Sequence, residues 1–370
     1  MKKTLFALAA LSLISAGAQA QTNVTIYGIV DAGVTYTSKV GPHNDSRLSM
    51  DSGDTSASRI GFKGTEDLGN GLKAIIQLEN GFNVDNGAFA AANTLFDRKA
   101  VVGLTGKFGT VTIGRQTDFL EDIGGKYTSV QTFGGNGIKG GHFNNLDRVA
   151  GMRANNSIRY DSLNYVGFTG SLFYGFGEVA GQLSAGQSFG IGGNYANGPF
   201  GVGIGYFQTK LAVGALPAKP GYTDLKTFTL GSSYQLGQAK LYGAWSQVKQ
   251  PLVSAVATVG LVNITSASEA NILDLGVDYA LSPSVHLLGS VIYDRADIRR
   301  QTLGSTKVST TQLNLGVDYF MSKRTDFYGF YTKQRANGAN NPGVINAAYS
   351  NAPDDDATQH VLRVGIRHKF

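Results

Sequence analysis

The chain of 370 residues contains no cysteine, which excludes a disulfide-stapled fold, thiol chemistry and thiolate metal sites. Its five histidines do not show the H-x-x-x-H spacing of a zinc site. Beyond the N-terminus, no run approaches the roughly 18 apolar residues that a membrane helix needs. Proline is scarce, at 8 residues, whereas glycine reaches 50 without the three-residue period of collagen. Within strands, so much glycine indicates bends and close approaches of the backbone.

The N-terminus has the three parts of a secretory signal peptide. Two lysines give a positive start, residues 5–14 are an apolar stretch, and residues 18–20 (Ala-Gln-Ala) form a small-x-small cleavage site. The apolar stretch is too short for a membrane anchor. We therefore expect residues 1–20 to be removed and residues 21–370 to form the mature domain of an exported protein.

The charge of the mature chain is modest. Without the two N-terminal lysines it has 30 basic and 26 acidic residues, a balance of 30 − 26 = +4. The basic residues are spread along the chain rather than gathered on one helix or arm, which disfavours a nucleic-acid partner.

Four segments of the second half share one pattern. In each, apolar residues alternate with small or polar ones, a tyrosine precedes a three-residue turn, and the alternation then resumes. A period of two is typical of a β-strand with one apolar face, and two such strands around a tight turn form a hairpin. Half-apolar strands of about ten residues cross a bilayer when tilted. The four hairpins span residues 190–206, 228–245, 273–293 and 313–331.

The four hairpins and the other predicted strands together indicate an all-β fold, a sixteen-stranded antiparallel transmembrane barrel. Eight strands lie in these hairpins, six form three earlier hairpins, and one lies at each end, giving the even total of bacterial barrels. Short turns alternate with long loops, which places both termini on the short-turn, periplasmic side. Closure is required because an open sheet edge in lipid leaves backbone groups unpaired. The other strands are predicted at 24–37, 58–68, 72–82, 96–106, 110–116, 155–161, 167–177 and 359–370, and the long loops include 38–57, 83–95, 117–154, 211–224, 250–269 and 335–358.

Side chains on the hairpins separate into two faces. Leu315 and Val317 alternate with Asn314 and Asp318, and charges belong in the lumen because an arginine facing lipid at the midplane costs about 2–4 kcal/mol. A soluble sandwich with one wet face would show the same alternation, but aromatic rows at both strand ends favour a membrane barrel. After Met321 aromatic residues occupy both faces, so the pattern leaves that strand's orientation open. The aromatic rows are Tyr195, Tyr234, Tyr279 and Tyr319, and Tyr206, Trp245, Tyr293 and Tyr331.

Two short motifs match enzyme signatures without the required context. Residues 186–190 spell G-x-S-x-G and residues 135–140 spell G-x-G-x-x-G. The first motif needs a strand-turn-helix, yet an alternating strand follows it; the second needs a βαβ unit, which does not surround it. We therefore expect a non-enzymatic protein without a cofactor or a metal.

Five stretches carry a family likeness: SRIGFKGTEDLG at 58–69, VGL at 102–104, FGTVTIGR at 108–115, NSIRY at 156–160 and the terminal Phe370. Together they resemble the trimeric general-diffusion porins of Gram-negative bacteria, most closely those of the β-proteobacterial type. The resemblance extends over the whole mature chain. It implies a homotrimer of sixteen-stranded barrels in the cell outer membrane, in contact with lipid and lipopolysaccharide. It also implies that the outer-membrane assembly machinery reads Phe370 as a signal.

The resemblance further implies a pore narrowed by the third long loop, residues 117–154, folded inward. One departure is Ile29, where enteric porins carry a lumenal lysine, so their selectivity cannot be carried over. The resemblance assigns several arginines to the pore, although each could instead form a structural ion pair with a loop carboxylate. By the resemblance, the acidic side of the constriction is Asp118 and Asp122 and the basic side is Arg59, Arg98 and Arg148, with Lys63, Arg115, Arg153 and Arg159 as further lumen-facing basic residues.

These features predict a water-filled channel for passive diffusion of ions and small hydrophilic solutes. Opposed charges at a narrow waist orient polar solutes and set ion preference. Three arginines against two aspartates favour a weak preference for anions, because a narrow, low-dielectric waist focuses the field. A solute-specific outer-membrane channel is the alternative, and it would need an aromatic slide or a dedicated pocket. A barrel enzyme or an adhesin would need a catalytic pair or a large exported segment, and the sequence shows neither.

Overall fold

The computed structural model describes residues 23–40, 45–138, 140–143, 145–213, 221–249, 257–259, 262–264, 267–300, 304–337 and 356–370. The signal peptide predicted at 1–20 lies outside these residues. The strands are β1 (Asn23–Val40), β2 (Asp45–Ser52), β3 (Arg59–Gly69), β4 (Leu72–Gly81), β5 (Lys99–Gly106), β6 (Gly109–Thr117), β7 (Arg153–Asp161), β8 (Phe168–Gly175), β9 (Ser188–Asn197), β10 (Phe200–Val213), β11 (Gly221–Leu236), β12 (Ala239–Lys249), β13 (Ala257–Val259), β14 (Val262–Ile264), β15 (Ala267–Ser282), β16 (Val285–Arg300), β17 (Gly304–Phe320), β18 (Thr325–Asn337) and β19 (Asp356–Lys369).

Seventeen of these strands form one sheet that closes on itself, and β13 and β14 form a separate hairpin. Along one edge β1 pairs with β19, beginning with Ile29 opposite Lys369. Along its other edge β1 pairs with β3 through residues 23–29 and with β2 through residues 32–37. Because β2 and β3 lie end to end, the seventeen strands fill sixteen positions. The predicted sixteen-stranded antiparallel barrel is therefore confirmed.

One predicted loop contains a strand. The sequence predicts a single long connection over residues 38–57, but β2 lies within it and extends the pairing of β1. The sequence of β2, DSRLSMDS, is mostly polar and carries no continuous alternation, so its strand conformation depends on the neighbouring strand. One other connection, predicted at 211–224, is shorter than predicted because β10 continues to Val213 and β11 begins at Gly221.

The two faces of the wall differ as the alternation predicts. On β17, Leu315 and Val317 are 48% and 45% exposed, whereas Asn314, one residue before Leu315, is fully buried. On β18, whose orientation the pattern left open, Tyr328 and Phe330 are buried and Phe327 is exposed. The outer face of the barrel is thus apolar throughout this region. Its exposed aromatic residues include Tyr234, Trp245, Tyr279, Tyr293 and Tyr319.

The longest described connection, residues 118–152, runs from β6 to β7 and is called the third loop below. It contains the short helix α1 (Leu120–Ile123) and a 3₁₀ turn at Gly125–Tyr127. The helical segment α2 (Val130–Ile138) follows, interrupted at Gly134 by a φ of 72°, and then a second 3₁₀ turn at Gly140–His142. Among the described residues no helix is both long and apolar enough to cross a bilayer.

The third loop packs against the wall of the barrel on the face opposite the exposed apolar side chains. Phe119, Leu120 and Ile123 form a buried cluster with Phe173 of β8 and Phe207 of β10. The wall beneath this part of the loop is built of glycines whose Cβ positions are filled by loop side chains, and we call it the glycine floor. It comprises Gly190, Gly192, Gly203, Gly205 and Gly231.

A second apolar cluster lies further along the third loop. Phe133 of α2 makes an edge-to-face contact with Phe330 of β18, with ring centroids 5.1 Å apart. Ile272 of β15 and Ile292 of β16 belong to the same cluster. The loop is therefore attached to the wall at two apolar contact areas, one near its start and one near its middle.

Candidate functional site

The carboxylate of Glu79 on β4 organises the first group of charges on the polar face. Arg98, just before β5, places its Nε 2.6 Å from Glu79 Oε1, and Arg59 Nη1 lies 3.9 Å from the same oxygen. The hydroxyl of Tyr27 on β1 donates to Glu79 Oε2 at 2.8 Å. Four neighbouring segments thus bring one acidic group, two guanidinium groups and a phenol to a single spot. Alternation on β4 puts Glu79 on the same face as Gln77, whose amide donates to Tyr27 Oη.

Arg153 joins this group from the first position of β7. Its charge interacts with those of Arg59 and Arg98, and all three arginines interact with Glu121 of α1. Burial, and next to it the charge of Asp122, raise the pKa of the Glu121 carboxyl above its ordinary value, against the opposing effect of Arg98. We call Arg59, Arg98 and Arg153 the arginine cluster. Their three like charges repel one another.

A second charge group lies beside the cluster on β5 and β7. Arg159 Nη2 is 2.6 Å from Asp122 Oδ2 of the third loop and 2.9 Å from Asp161 Oδ1 of its own strand. The ammonium of Lys99 interacts electrostatically with Arg159 and Asp122. Asp122 is therefore bonded directly to the wall, and its side chain remains about half exposed.

Arg148 and Asp118 form the structural ion pair with a loop carboxylate that the sequence left open as the alternative. Both belong to the third loop, and Arg148 Nε bonds to Asp118 Oδ2 at 2.7 Å in the interior. They are 4% and 0% exposed, and the Arg148 guanidinium lies over the ring of Phe207, 4.4 Å from its centroid. The two residues do not oppose each other across a gap. Arg148 has a left-handed backbone with φ of 66°, which turns its side chain back onto its own loop.

The remaining predicted basic residues, Lys63 and Arg115, make other contacts beside the arginine cluster. Lys63 shares the polar face of β3 with Arg59 and places its ammonium 4.5 Å from the centroid of the Tyr27 ring. Arg115 lies at a bulge in β6 and donates to the carbonyl of Asp97 at 2.7 Å. Phe370 is bound at the seam, where its backbone N–H and C=O both bond to Gly28 at 3.1 Å.

Comparison with known proteins decides the family. The model of the Gram-negative porin family matches residues 7–339. The chain belongs to the Gram-negative porin family. Outer membrane porin protein 32 of Delftia acidovorans is 35% identical to this porin over the full length of both chains. An outer membrane porin protein of Bordetella pertussis is 31% identical, also over the full length of both.

Solved structures agree with this assignment. The anion-selective porin from Comamonas acidovorans superposes on 94% of this chain and 100% of its own, with a TM-score of 0.74 and 30% identity. Salmonella typhi OmpF superposes on 94% of this chain and 97% of its own, with a TM-score of 0.63 at 17% identity, which shows a shared fold. This porin is accordingly an outer-membrane channel for passive diffusion, as the hairpin pattern and the family resemblance predicted.

The porin also contains a buried polar network that the sequence did not reveal. His142 of the third loop lies between two carboxylates, with Nδ1 2.8 Å from Asp147 and Nε2 3.1 Å from Asp274 of β15. Asp274 also accepts from the backbone N–H of Ser129 at 2.7 Å. Burial lowers the pKa of His142, but the two aspartates outweigh that effect and raise it to about 10. The charged imidazole therefore fastens the loop to the wall.

Four further charged residues of the two charge groups, Glu79, Lys99, Glu121 and Asp161, were not predicted. Glu79 could have been found from the alternation on β4, because it is the acidic residue on the same face as Gln77. Lys99 follows Arg98 directly, and Glu121 precedes Asp122 in α1. Lys99 begins β5 on the face opposite the exposed Val102 and Leu104, so alternation could have found it, whereas Glu121 lies in a loop that carries no face periodicity.

Proposed function

We propose that this porin is a weakly anion-selective diffusion channel whose constriction lies between the arginine cluster and the acidic residues of α1. The observation that carries the proposal is that Arg59 and Arg98 meet at the Glu79 carboxylate, at 3.9 and 2.6 Å, and that their charges and that of Arg153 all interact with Glu121 of the third loop. Holding like charges together is unfavourable, and such arrangements concentrate at functional sites. In this proposal Arg153 takes the place that the sequence assigned to Arg148.

The balance of charge in this region supports a weak preference rather than a strong one. Five basic side chains and five carboxylates lie in this region, so any preference depends on their placement: Glu79 pairs with Arg98, Arg159 pairs with Asp122 and Asp161, and Asp97 accepts a backbone N–H from Gly81 at 2.6 Å. Because a narrow aqueous passage concentrates the field of its lining charges, the arginine cluster dominates the potential there. The structural relative from Comamonas acidovorans is described as anion-selective, which agrees with this sign. The basic residues are Arg59, Arg98, Lys99, Arg153 and Arg159, and the carboxylates are Glu79, Asp97, Glu121, Asp122 and Asp161.

The third loop is the element that narrows the passage in this proposal. Its contacts with the polar face, through the glycine floor and the bond from Ser129 to Asp274, support a position inside the barrel. The family resemblance supports three further features. They are assembly as a homotrimer, contact with outer-membrane lipid and lipopolysaccharide, and reading of Phe370 by the assembly machinery. No side chain is assigned a catalytic role.

Reversal potentials in planar bilayers across a KCl gradient test the constriction. Replacing Arg59, Arg98 and Arg153 together by alanine should shift selectivity toward cations and raise conductance. Changing Glu121 and Asp122 to their amides should shift it toward anions. The matched control replaces three basic residues in short turns, Lys107, Lys323 and Arg324, which are exposed and remote from the cluster. Equal shifts in the control and the cluster variants would refute the assignment.

Liposome swelling separates the general channel from a solute-specific one. Uptake that depends smoothly on the size of uncharged sugars is expected for a diffusion channel. A single solute that enters much faster than others of its size would favour the solute-specific alternative. Salt is a further check, because the selectivity should weaken at 1 M, where the Debye length falls to about 3 Å.

A further inference from the structure

Six residues, 53–58, interrupt the strand position shared by β2 and β3, and we call them the inner turn. Ser52 pairs with Ala32 and Arg59 pairs with Ile29, so the six residues lie opposite only two residues of β1. They leave the plane of the sheet on the polar side, and Asp54, Thr55 and Ser58 among them are buried. A six-against-two mismatch is far larger than the one extra residue of an ordinary β-bulge.

Asp31 of β1 holds the inner turn in place. Its carboxylate is fully buried and accepts from the backbone N–H groups of Thr55 and Ser56 at 3.1 and 2.8 Å, and also from the Thr55 hydroxyl. The hydroxyl of Tyr328 on β18 donates to the other carboxylate oxygen at 2.7 Å. The backbone of Asp31 adds bonds to Gly53 and Ser58. A buried carboxylate is tolerated only when it is bonded in this way, so its contacts specify one conformation.

The inner turn contacts both sides of the proposed constriction. On one side, the carbonyl of Ala57 accepts from Arg59 Nε at 2.8 Å and thereby orients one member of the arginine cluster. On the other side, the third loop touches Thr55 where α2 is interrupted. At that point Gly134 approaches the Thr55 backbone so closely that a Cβ would overlap its carbonyl group, and its φ of 72° favours glycine.

We propose that the inner turn is a spacer that fixes the distance between the third loop and the arginine cluster, and that Asp31 is the residue that positions it. The inference rests on the proposed function, because it concerns the width of the same constriction. Asp31 touches neither Arg59 nor the third loop through its side chain in any described contact. It acts through the inner turn, which contacts Arg59 of the arginine cluster on one side and Gly134 of the third loop on the other.

Single-channel recording of Asp31→Asn tests the spacer. The amide keeps the shape of the carboxylate but loses the charged acceptor, so Thr55 and Ser56 are held less firmly. The open-channel current should become noisier and show additional conductance levels. Asp45→Asn is the matched control, because it removes the same charge from the exposed start of β2. If Asp31→Asn does not assemble, Tyr328→Phe removes one of the same bonds more gently and should give the same change in smaller measure.

Gly134→Ala disturbs the inner turn from the side of the third loop, where Gly134 lies against the Thr55 backbone. It should also add noise and conductance levels, and the double variant with Asp31→Asn should be no worse than the stronger single variant, since both substitutions act through the position of the same inner turn. A purely structural role for Asp31 would lower the melting temperature while leaving the current of inserted channels unchanged. Wild-type conductance and noise in Asp31→Asn, Tyr328→Phe and Gly134→Ala would overturn the spacer. Wild-type selectivity in the triple arginine variant would instead refute the proposed constriction. Because one test measures channel noise and the other the reversal potential, the two failures can be told apart.

Discussion

The barrel has two walls that the strand pattern describes in the same way but that differ in structure. The open wall, β3 to β7, carries the arginine cluster, Arg159 and Lys99 on its polar face. The covered wall, β9 to β12 and β15 to β17, carries glycines and short polar residues beneath the third loop. Both walls alternate, yet the arginines of the open wall stay partly exposed, whereas the polar groups of the covered wall are buried against the loop. Alternation defines the inner face of a strand, and the third loop decides what that face is used for.

The largest effect is expected at the seam between β1 and β19, which joins the two walls. Deleting Phe370 removes two backbone bonds to Gly28 and leaves the last strand without its terminal aromatic residue. Because an unpaired edge in lipid is strongly unfavourable, the yield of assembled, heat-modifiable protein in the outer membrane should collapse. Phe370→Ala keeps both backbone bonds, so comparing the two variants separates strand pairing from recognition of the ring. A normal yield from the deletion would contradict this interpretation of the terminus.

Introducing arginine on each wall tests the difference between them directly. Asn314 on the covered wall is buried and bonds to Ser290, Gln312 and Thr332. Asn314→Arg would place an uncompensated charge there, which costs about 3–5 kcal/mol, and should displace the third loop.

The matched variant on the open wall is Thr65→Arg, which lies on the polar face of β3 and should fold normally. Unfolding midpoints in detergent measure both variants, and conductance reports whether the loop has moved. The alternation by itself predicts that Asn314→Arg is tolerated. That result would show that the third loop does not cover this wall.

The outer face should be less sensitive than the covered wall but more sensitive than the open one. Val317→Arg exposes a charge to lipid and should destabilise the barrel by about 2–4 kcal/mol if it lies near the midplane. The same unfolding assay applies, with Val317→Leu as the apolar control. If Val317→Arg were harmless while Thr65→Arg were harmful, the face assignment would be shifted by one residue, because a one-residue slip exchanges the faces.

The ion-paired histidine that joins the third loop to the covered wall should make the stability of the barrel depend on pH. His142 has a folded-state pKa of about 10, against an ordinary 6.5, because Asp147 and Asp274 outweigh the effect of its burial. Its stabilising contribution is therefore complete below pH 6.5 and declines as the pH rises toward 10. The melting temperature should fall over this window in the wild type. It should fall less in His142→Gln, which cannot become charged, and equal slopes in the two proteins would contradict the charged state of the histidine.

The sequence predicted the barrel well and the site in part, for physical reasons. Strand faces are periodic, so Leu315 outside and Asn314 inside follow from their positions. Arg148 and Arg153 are close in sequence, but only Arg153 begins a strand whose geometry directs its side chain. Arg148 lies in a turn of the third loop, where a left-handed backbone and the buried Asp118 determine its direction. β2 was missed because its pairing with β1, rather than any apolar pattern, makes it a strand.

The glycine floor has a consequence for how bacteria carrying this porin adapt to antibiotics. Loop side chains occupy the space that a Cβ would fill at Gly203 and Gly231, where the ring of Tyr127 lies against the backbone. A single substitution to a larger residue would lift Tyr127 and the loop away from the wall and into the passage, while strand pairing by backbone groups stays available. Selection with a hydrophilic antibiotic should therefore recover one-step substitutions at these glycines, with reduced uptake and normal porin abundance. A single substitution in the glycine floor should therefore lower permeability without disrupting the barrel.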